Sequence, residues 1–298
     1  MSFRTGLKTI VVATDLDGRS EASMEYARKI AGAYDARIVL VYGLDPIDYA
    51  EVESVPGSVL RKMPDEAREV LDQMGADLLR DGIYSHSEIR QGTVAQMLVD
   101  VARQYDAGLI MVGTEGKAGA GPVLVGTIAE QLVRQATCPV LAVAADWNAG
   151  PNRPTPGGPI MLAMERNEAT KNAAETAFSL AEKFQRTLVV VHARTAAEAS
   201  AFLNPCTASL EEFGVKATSN VAVRCVVKDG KPADAIAEAI EQNQPSVLVF
   251  GVKRASETPG PHGTAFRLLA QSRVPVLCVP PEEVSAVAAD ALESAAAQ

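Results

Sequence analysis

The chain repeats itself, and this duplication limits the folds available to it more than any other feature of the sequence. Gly92 lies 21 residues before Gly113, and Gly230 lies 21 residues before Gly251. Three pairs of apolar segments also match: KTIVVAT (8–14) with GPIMLAM (158–164), RIVLVYG (37–43) with TLVVVHA (187–193), and CPVLAV (138–143) with VPVLCV (274–279). Agreement in order and spacing across several segments indicates a tandem duplication, so the same fold is expected twice.

Short apolar runs alternate with amphipathic segments in the first copy. Runs rich in Val, Ile and Leu predict five strands, at 9–14, 37–42, 86–90, 109–113 and 139–143. In several of them apolar residues follow one another without alternation, as in strands buried on both faces of a parallel sheet. Helices are predicted between the strands, at 20–33 with Ser20 as N-cap, 64–79, 94–104 and 128–135. This alternation predicts an α/β fold with right-handed crossovers.

A stretch rich in Pro and Gly divides the 298-residue chain into two domains. AADWNAGPNRPTPGG at 144–158 contains three Pro and three Gly and shows no periodicity. We therefore predict a first domain at 1–145, a linker at 146–157 and a second domain at 158–281. Residues 282–298 form a tail rich in Ala and Glu.

Composition argues against several classes of partner. The net charge of −9 does not attract nucleic acid or anionic lipid, because both are themselves negative. The four cysteines form no C-x-x-C pair and no Cys/His pattern with zinc spacing, so structural thiols in a reducing compartment, the cytoplasm, are expected. The N-terminus lacks a signal-peptide pattern and no apolar run is long enough to span a membrane, so no membrane partner is expected.

Ligands of open α/β sheets bind beyond the carboxyl ends of the strands, at the point where the strand order reverses. The candidates are therefore Asp15 after the first strand, Gly43 after the second, Gly92 after the third and a glycine-rich loop that begins at Gly113. The loop, GTEGKAGAGPVLVGTIAEQ at 113–131, is neither a Walker A loop nor a G-x-G-x-x-G dinucleotide fingerprint. A glycine-rich loop between a strand and a helix is, by itself, also typical of a mobile turn.

The spacing inside this loop is more specific. Gly113-x-x-Gly116 is followed by nine residues and then by Gly126-Thr127. This G-x2-G-x9-G-[ST] pattern resembles the ATP-binding branch of the universal stress protein family, and Asp15 and the CPVLAV strand fit the same family. The resemblance covers nearly all of 5–144, and 158–280 looks like a second, divergent copy. It implies two tandem doubly wound domains, each with a five-stranded parallel sheet of order 3-2-1-4-5 and helices on both faces.

The resemblance also implies that ATP, or ADP or AMP, binds across the strand ends. By this analogy the backbone from Val41 to Gly43 meets the adenine, and Asp15 lies near the ribose and phosphates, directly or through a magnesium ion. The expected nucleotide-binding residues are Asp15, Val41, Gly43, Gly92, Gly113, Thr114, Gly116, Lys117, Gly126 and Thr127.

Elementary chemistry is compatible with this assignment. Gly113 and Gly116 have no Cβ, so the backbone can pass close to a triphosphate with its N–H groups pointing inward. Thr127 opens a helix whose N-terminus favours anions. Simpler roles stay open for three of the residues: Asp15 as a turn or helix-capping residue, Thr127 as an N-cap, and Lys117 as a solvated charge.

The second copy departs from the pattern. Gly251 is present, but Arg254 stands at the position of the second Gly and Glu165 replaces the Asp. Pro259 and Pro261 also remove backbone donors from the loop. We therefore predict a copy that is degenerate for nucleotide and serves mainly in structure or pairing. The resemblance implies that the two copies join through their last strands, and the apolar strands PVLAV and PVLCV could pair or pack on each other as an intramolecular pseudo-dimer. A further homodimer stays open.

These features favour a nucleotide-binding stress-response regulator with an unidentified protein partner. We predict no catalytic residues and at most slow ATP hydrolysis, because no nucleophile–base pair is visible in the sequence. One alternative is a nucleotide-free interaction module of the same fold. An ATP-dependent ligase or hydrolase is less favoured, because TDLDGRS after the first strand is not the S-G-G-x-D pattern of such enzymes.

Overall fold

The computed structural model describes residues 6–16, 20–44, 57–114, 127–144, 157–165, 169–194, 220–253, 267–269, 272 and 274–281. Strands and helices alternate in both copies, which confirms the α/β class. The elements of the first copy are β1 (Thr9–Thr14), α1 (Glu21–Tyr34), β2 (Arg37–Leu44), α2 (Gly57–Arg80), β3 (Ser85–Gln91), α3 (Val94–Gln104), β4 (Leu109–Gly113), α4 (Thr127–Gln135) and β5 (Val140–Val143).

The second copy follows the same order where it is described. Its elements are β6 (Ile160–Ala163), α5 (Thr170–Lys183), β7 (Leu188–Arg194), β8 (Val223–Asp229), α6 (Pro232–Asn243), β9 (Val247–Gly251) and β10 (Val276–Val279). Most of the predicted linker and the whole predicted tail lie outside the described residues.

One helix boundary differs from the prediction. Helix α2 begins at Gly57 rather than at Pro64. The fixed φ of proline is compatible with a helix, although its missing N–H removes one backbone bond. Pro64 therefore does not mark the helix start that its preference for the first turn suggested.

All ten strands form one sheet in the order β3-β2-β1-β4-β5-β10-β9-β6-β7-β8. The first half has the order 3-2-1-4-5, as predicted, and the second half repeats that order in mirror sequence. Pairing within each copy is parallel, whereas β5 and β10 are antiparallel, with Leu141 opposite Leu277 and Val140 opposite Cys278. The two copies thus join through their last strands, as the sequence predicted.

Helices on both faces explain the unbroken apolar runs in the strands. Ile10 and Val12 point into one core layer with α1, and Val11 points into the opposite layer with α3. All three are completely buried. Because both faces of β1 are covered, each of its central positions must be apolar, which removes the usual alternation.

Helix α1 makes contacts with the second copy. Tyr26 donates a hydrogen bond from its hydroxyl to the backbone oxygen of Ser246, at 3.2 Å. The rings of Tyr34 and Phe184 meet edge to face with centroids 6.4 Å apart, and Lys183 Nζ lies 5.2 Å from the Tyr34 ring centroid. Burial raises the pKa of Tyr34 to about 12 and also raises the pKa of Tyr26. Both phenols therefore stay neutral and act as hydrogen-bonding and packing groups.

Tyr26→Phe should test the contribution of this contact between copies. The substitution keeps the ring but leaves the partly buried carbonyl of Ser246 without the phenol donor, so the free energy of unfolding should fall by about 1–2 kcal/mol. Urea denaturation followed by circular dichroism measures the change. Tyr84→Phe is the matched control, because Tyr84 is 76% exposed and should lose almost nothing.

Two glycines should respond to alanine in opposite directions. Gly32 lies inside α1, and a Cβ there meets no atom within 4 Å, so Gly32→Ala should stabilise the protein by about 0.5–1 kcal/mol. Gly82 has φ of +77°, which side chains rarely adopt, so Gly82→Ala should destabilise it by about 1 kcal/mol. Equal shifts in the urea midpoint for both variants would contradict this assignment.

Candidate functional site

The ends of β1 and β4 lie side by side, and this is where the strand order reverses. Val12 is in register with Met111, so Thr14 is level with Gly113. After these strands the chain leaves toward opposite faces, because α1 belongs to one core layer and α4 to the other. Asp15 and Gly113 are therefore brought to the same crevice, where ligands of such sheets bind.

Asp15 is held by the start of α1. Its Oδ1 accepts hydrogen bonds from Ser20 N at 3.3 Å and Ser20 Oγ at 2.9 Å. Ser20 occupies the predicted N-cap position, but its side chain makes no bond to the helix backbone, because the hydroxyl is directed to Asp15 and Thr14 instead. Asp15 thus fixes the turn from β1 into α1, which is the simpler role that the sequence left open.

The same turn contains an unusual backbone conformation. Leu16 has φ of +61°, in the left-handed region that is uncommon for residues other than Gly. Leu16 N donates to Thr14 Oγ1 at 3.2 Å, and Thr14 Oγ1 lies 3.1 Å from Ser20 Oγ. These hydroxyls hold the strand end in a defined shape. The sequence prediction did not include Thr14 or Ser20 in the site, although Thr, Asp and Ser around one strand end form a usable signal.

The residues predicted to meet the adenine lie at the end of β2. Val41 is buried, and its backbone is in register with Ala13 on one side and Glu88 on the other. A Cβ on Gly43 would lie 2.6 Å from Met97 Cε and 3.0 Å from Val94 Cγ2. Gly43 therefore allows α3 to approach the strand end closely, so it has a packing role whatever binds there.

Of the remaining predicted residues, three lie within the described part of the chain and three do not. Gly92 follows β3, with φ of +136°, and leads into α3 two strands away from β1. Thr114 N donates to Val143 O at 3.0 Å, which extends the pairing of β4 with β5 beyond Gly113. Thr127 is the first residue of α4. The other three predicted residues, Gly116, Lys117 and Gly126, lie outside the described residues.

The equivalent strand ends of the second copy carry different residues. Glu165 follows β6 and forms an ion pair with Lys253 after β9, with Lys253 Nζ 3.2 Å from Glu165 Oε1. A Cβ on Gly251 would come within 2.9 Å of Ala169 Cβ and 3.0 Å of the Ala169 backbone. The start of α5 therefore packs directly on the strand end where the first copy has its glycine loop.

The carboxyl ends of the strands lie at one end of the sheet in the first copy and at the opposite end in the second copy. This follows from the antiparallel pairing of β5 with β10, since all other pairs are parallel. Among the described residues, the two crevices therefore open in opposite directions and share no residue.

Metal-binding clusters and reactive thiols do not stand out in the described ranges. Within them, no group of three or more His, Cys, Asp or Glu side chains is arranged to hold a metal ion. Burial raises the pKa of Cys138 to about 12 and raises that of Cys278 as well, so both thiols stay protonated at neutral pH. Such cysteines pack as small apolar side chains.

Fold and site together define two tandem open α/β domains, each with a crevice at its strand ends. The model of the Universal stress protein family matches residues 6–144 and 158–280, so the chain belongs to this family, with two domains in tandem. No helix within the described ranges is long and apolar enough to cross a bilayer.

Some similar proteins match most of the chain, and others match about half of it. A universal stress protein from Mycobacterium tuberculosis is 26% identical over 253 residues, covering 79% of this chain and 84% of its own. One from Methanocaldococcus jannaschii is 31% identical over 138 residues, covering 46% of this chain and 81% of its own. The crystal structure of a universal stress protein from Archaeoglobus fulgidus superposes with a TM-score of 0.75 at 17% identity, covering 92% and 98% of the two chains.

Substitutions at Asp15 should separate its structural role from its charge. Asp15→Ala removes the acceptor of two hydrogen bonds and should lower the free energy of unfolding by about 1–2 kcal/mol. Asp15→Asn retains an oxygen acceptor and should lose less than half as much. Thermal and urea unfolding of both variants measure the difference. Equal losses would contradict the role of the Asp15 side chain as a hydrogen-bond acceptor in the turn from β1 into α1.

Proposed function

We propose that this tandem universal stress protein binds one adenine nucleotide, ATP, ADP or AMP, in the crevice of its first copy and acts as a regulator in the stress response. One observation carries the proposal. Adjacent strand ends bring Asp15 beside Gly113, the residue that begins the G-x2-G-x9-G-[ST] spacing. Either feature alone is common in α/β loops, and their meeting at the reversal of strand order supports a ligand site.

The groups at this crevice fit a nucleotide. Gly113 lies at the end of β4 without a side chain, and Gly116 and Gly126 follow it in the sequence; the resemblance implies that this loop carries the phosphates. Thr127 begins α4, and helix N-termini favour anions. The same resemblance implies that the adenine ring meets the end of β2, from Val41 to Gly43. Such a site needs no basic field, which suits a chain with a net charge of −9.

In this proposal Asp15 is a ligand to nucleotide-bound magnesium and not a catalytic residue. Its Oδ1 is engaged by Ser20, so it is not free to act as a general base. A nucleotide-bound magnesium ion would find one carboxylate in Asp15 and would take further ligands from phosphate and water. Binding with at most slow hydrolysis is therefore the expected behaviour.

The second copy is proposed to bind no nucleotide. The Glu165–Lys253 pair spans the ends of β6 and β9, and Ala169 occupies the space above Gly251. Glu165 also replaces the Asp of the first copy, and Arg254 stands at the position of the second Gly of the spacing pattern. Its role is then to cover β5 and to complete the sheet.

The proposed regulation of partner binding depends on where the crevice of the first copy lies. The crevice of the first copy opens beyond the carboxyl ends of β1 and β4, at the end of the sheet opposite to that of the second crevice. In this proposal, nucleotide occupancy changes the charge and shape of that end of the sheet, and a protein partner binds there. Such a change alters partner binding without any chemical step.

Small molecules released from the denatured protein should test this proposal by mass spectrometry, beside a nucleotide titration. We expect one adenine nucleotide per chain for the wild type, and none for Gly113→Val or Gly116→Val, because the new side chain fills the phosphate path. Gly32→Val adds the same side chain to an open position in α1 and should retain full binding. Circular dichroism must show that each variant keeps its fold.

Other stoichiometries would change the conclusion. Two nucleotides per chain would show that the second copy also binds nucleotide, despite its different residues. No binding at millimolar ATP with magnesium would leave the nucleotide-free interaction module of the same fold as the better interpretation.

A further inference from the structure

Two buried hydroxyl groups adjoin the carboxylate of Asp15. Thr14 is 7% exposed and Ser20 is 8% exposed, whereas Asp15 is only half-buried at the crevice of the first copy. Hydroxyl groups that are removed from water need hydrogen-bond partners. Thr14 and Ser20 are partners of each other, with Oγ1 and Oγ 3.1 Å apart. A buried polar pair therefore supports a carboxylate that is itself partly exposed.

The hydrogen bonds of this pair run in one direction, toward the carboxylate. Ser20 Oγ donates to Asp15 Oδ1 at 2.9 Å, and a hydroxyl has only one proton to donate. The proton in the contact between Thr14 and Ser20 must therefore come from Thr14 Oγ1. Thr14 Oγ1 in turn accepts from Leu16 N at 3.2 Å. Each hydroxyl thus accepts on one side and donates on the other, and such a chain strengthens its final bond to the carboxylate by polarisation.

The second copy builds the corresponding turn without this hydroxyl chain. The repeat places Met164, Glu165 and Thr170 at the three corresponding positions. The hydroxyl of Thr170 donates its proton to the backbone oxygen of Glu165. Met164 has no hydroxyl, and the Glu165 carboxylate pairs with Lys253 Nζ at 3.2 Å. The turn from strand to helix therefore does not require hydroxyls directed at the acidic side chain, so the chain in the first copy serves its carboxylate.

We propose that Ser20 and Thr14 are positioning residues, which hold the Asp15 carboxylate in the orientation that binds the magnesium ion of a nucleotide. This inference rests on the proposed function of the first copy. The residues fit the ion, because magnesium prefers oxygen ligands in a strict geometry and is usually bound by one or two carboxylates together with phosphate oxygens. Groups that hydrogen-bond to a metal ligand fix its orientation, and replacing one typically lowers metal affinity about 10- to 100-fold.

The dependence of nucleotide affinity on magnesium separates this role from a purely structural one. Hydroxyls that only shape the turn would, when removed, weaken nucleotide binding to the same extent with and without the ion. Hydroxyls that position a ligand of the ion affect binding only where the ion is present.

Isothermal titration calorimetry of the full chain with ATP, in excess magnesium and in EDTA, tests the inference. Ser20→Ala removes the last hydroxyl of the chain. It should lower the affinity for ATP at least about tenfold in magnesium and change it less than about twofold in EDTA. Thr14→Val keeps the shape of the side chain but removes a hydroxyl one bond further from the carboxylate, so it should act in the same direction by a smaller factor.

Two variants serve as controls. Thr14→Ser keeps the hydroxyl and should keep the magnesium dependence of the wild type. Ser23 is completely buried in the first turn of α1, and its hydroxyl donates to Ser20 O at 2.7 Å. Ser23→Ala therefore removes a buried hydroxyl that is not part of the chain, and it should leave the affinity for ATP unchanged in both conditions. Circular dichroism must show that each variant is folded.

The possible failures are distinguishable. Equal losses in magnesium and in EDTA for Ser20→Ala would overturn the inference and leave the nucleotide site in place. A wild type whose affinity for ATP is the same in both conditions would overturn it in the same way. A wild type that binds no adenine nucleotide in either condition would overturn the proposed function, and the inference with it.

Discussion

The antiparallel pairing of β5 with β10 is the contact on which the rest of the structure depends. Each copy ends its sheet with a short, fully apolar strand, and such a strand cannot be left at an open edge without inviting aggregation. Pairing the two strands buries both, including Leu141, Leu277 and Cys278, and turns two five-stranded sheets into one. The contacts of Tyr26 and Tyr34 with the second copy follow from this junction.

Much of the fold was predictable because the physical signals were local and repeated. Helices cover both faces of β1 and β4, so the sequences of these strands had to be apolar runs. Both strands have the predicted bounds. The start of α2 was not predictable in this way, since Pro64 prefers a first turn but tolerates a helix interior. The pairing of the last strands was inferred from the family resemblance together with the apolar character of PVLAV and PVLCV.

The candidate site was predictable only in part, for a reason visible in its geometry. Strand order places Asp15 and Gly113 together, and the sequence supplied both residues. It could not show that Asp15 is already held by Ser20, because that bond depends on the left-handed turn at Leu16. It likewise could not show that Gly43 is required by Met97 and Val94, which are distant along the chain. Close packing between separate elements leaves no periodic trace in a sequence.

The covalent link between the copies has a consequence for evolution. In a symmetric dimer of single domains, every substitution appears twice, so a crevice cannot be lost on one side and kept on the other. Here the copies share one chain, and their pairing does not depend on protein concentration. Glu165, Lys253 and Ala169 could therefore arise at one set of strand ends without being repeated at the other. Fusion thus allows the two halves of the molecule to differ in sequence, so long as their last strands still match each other.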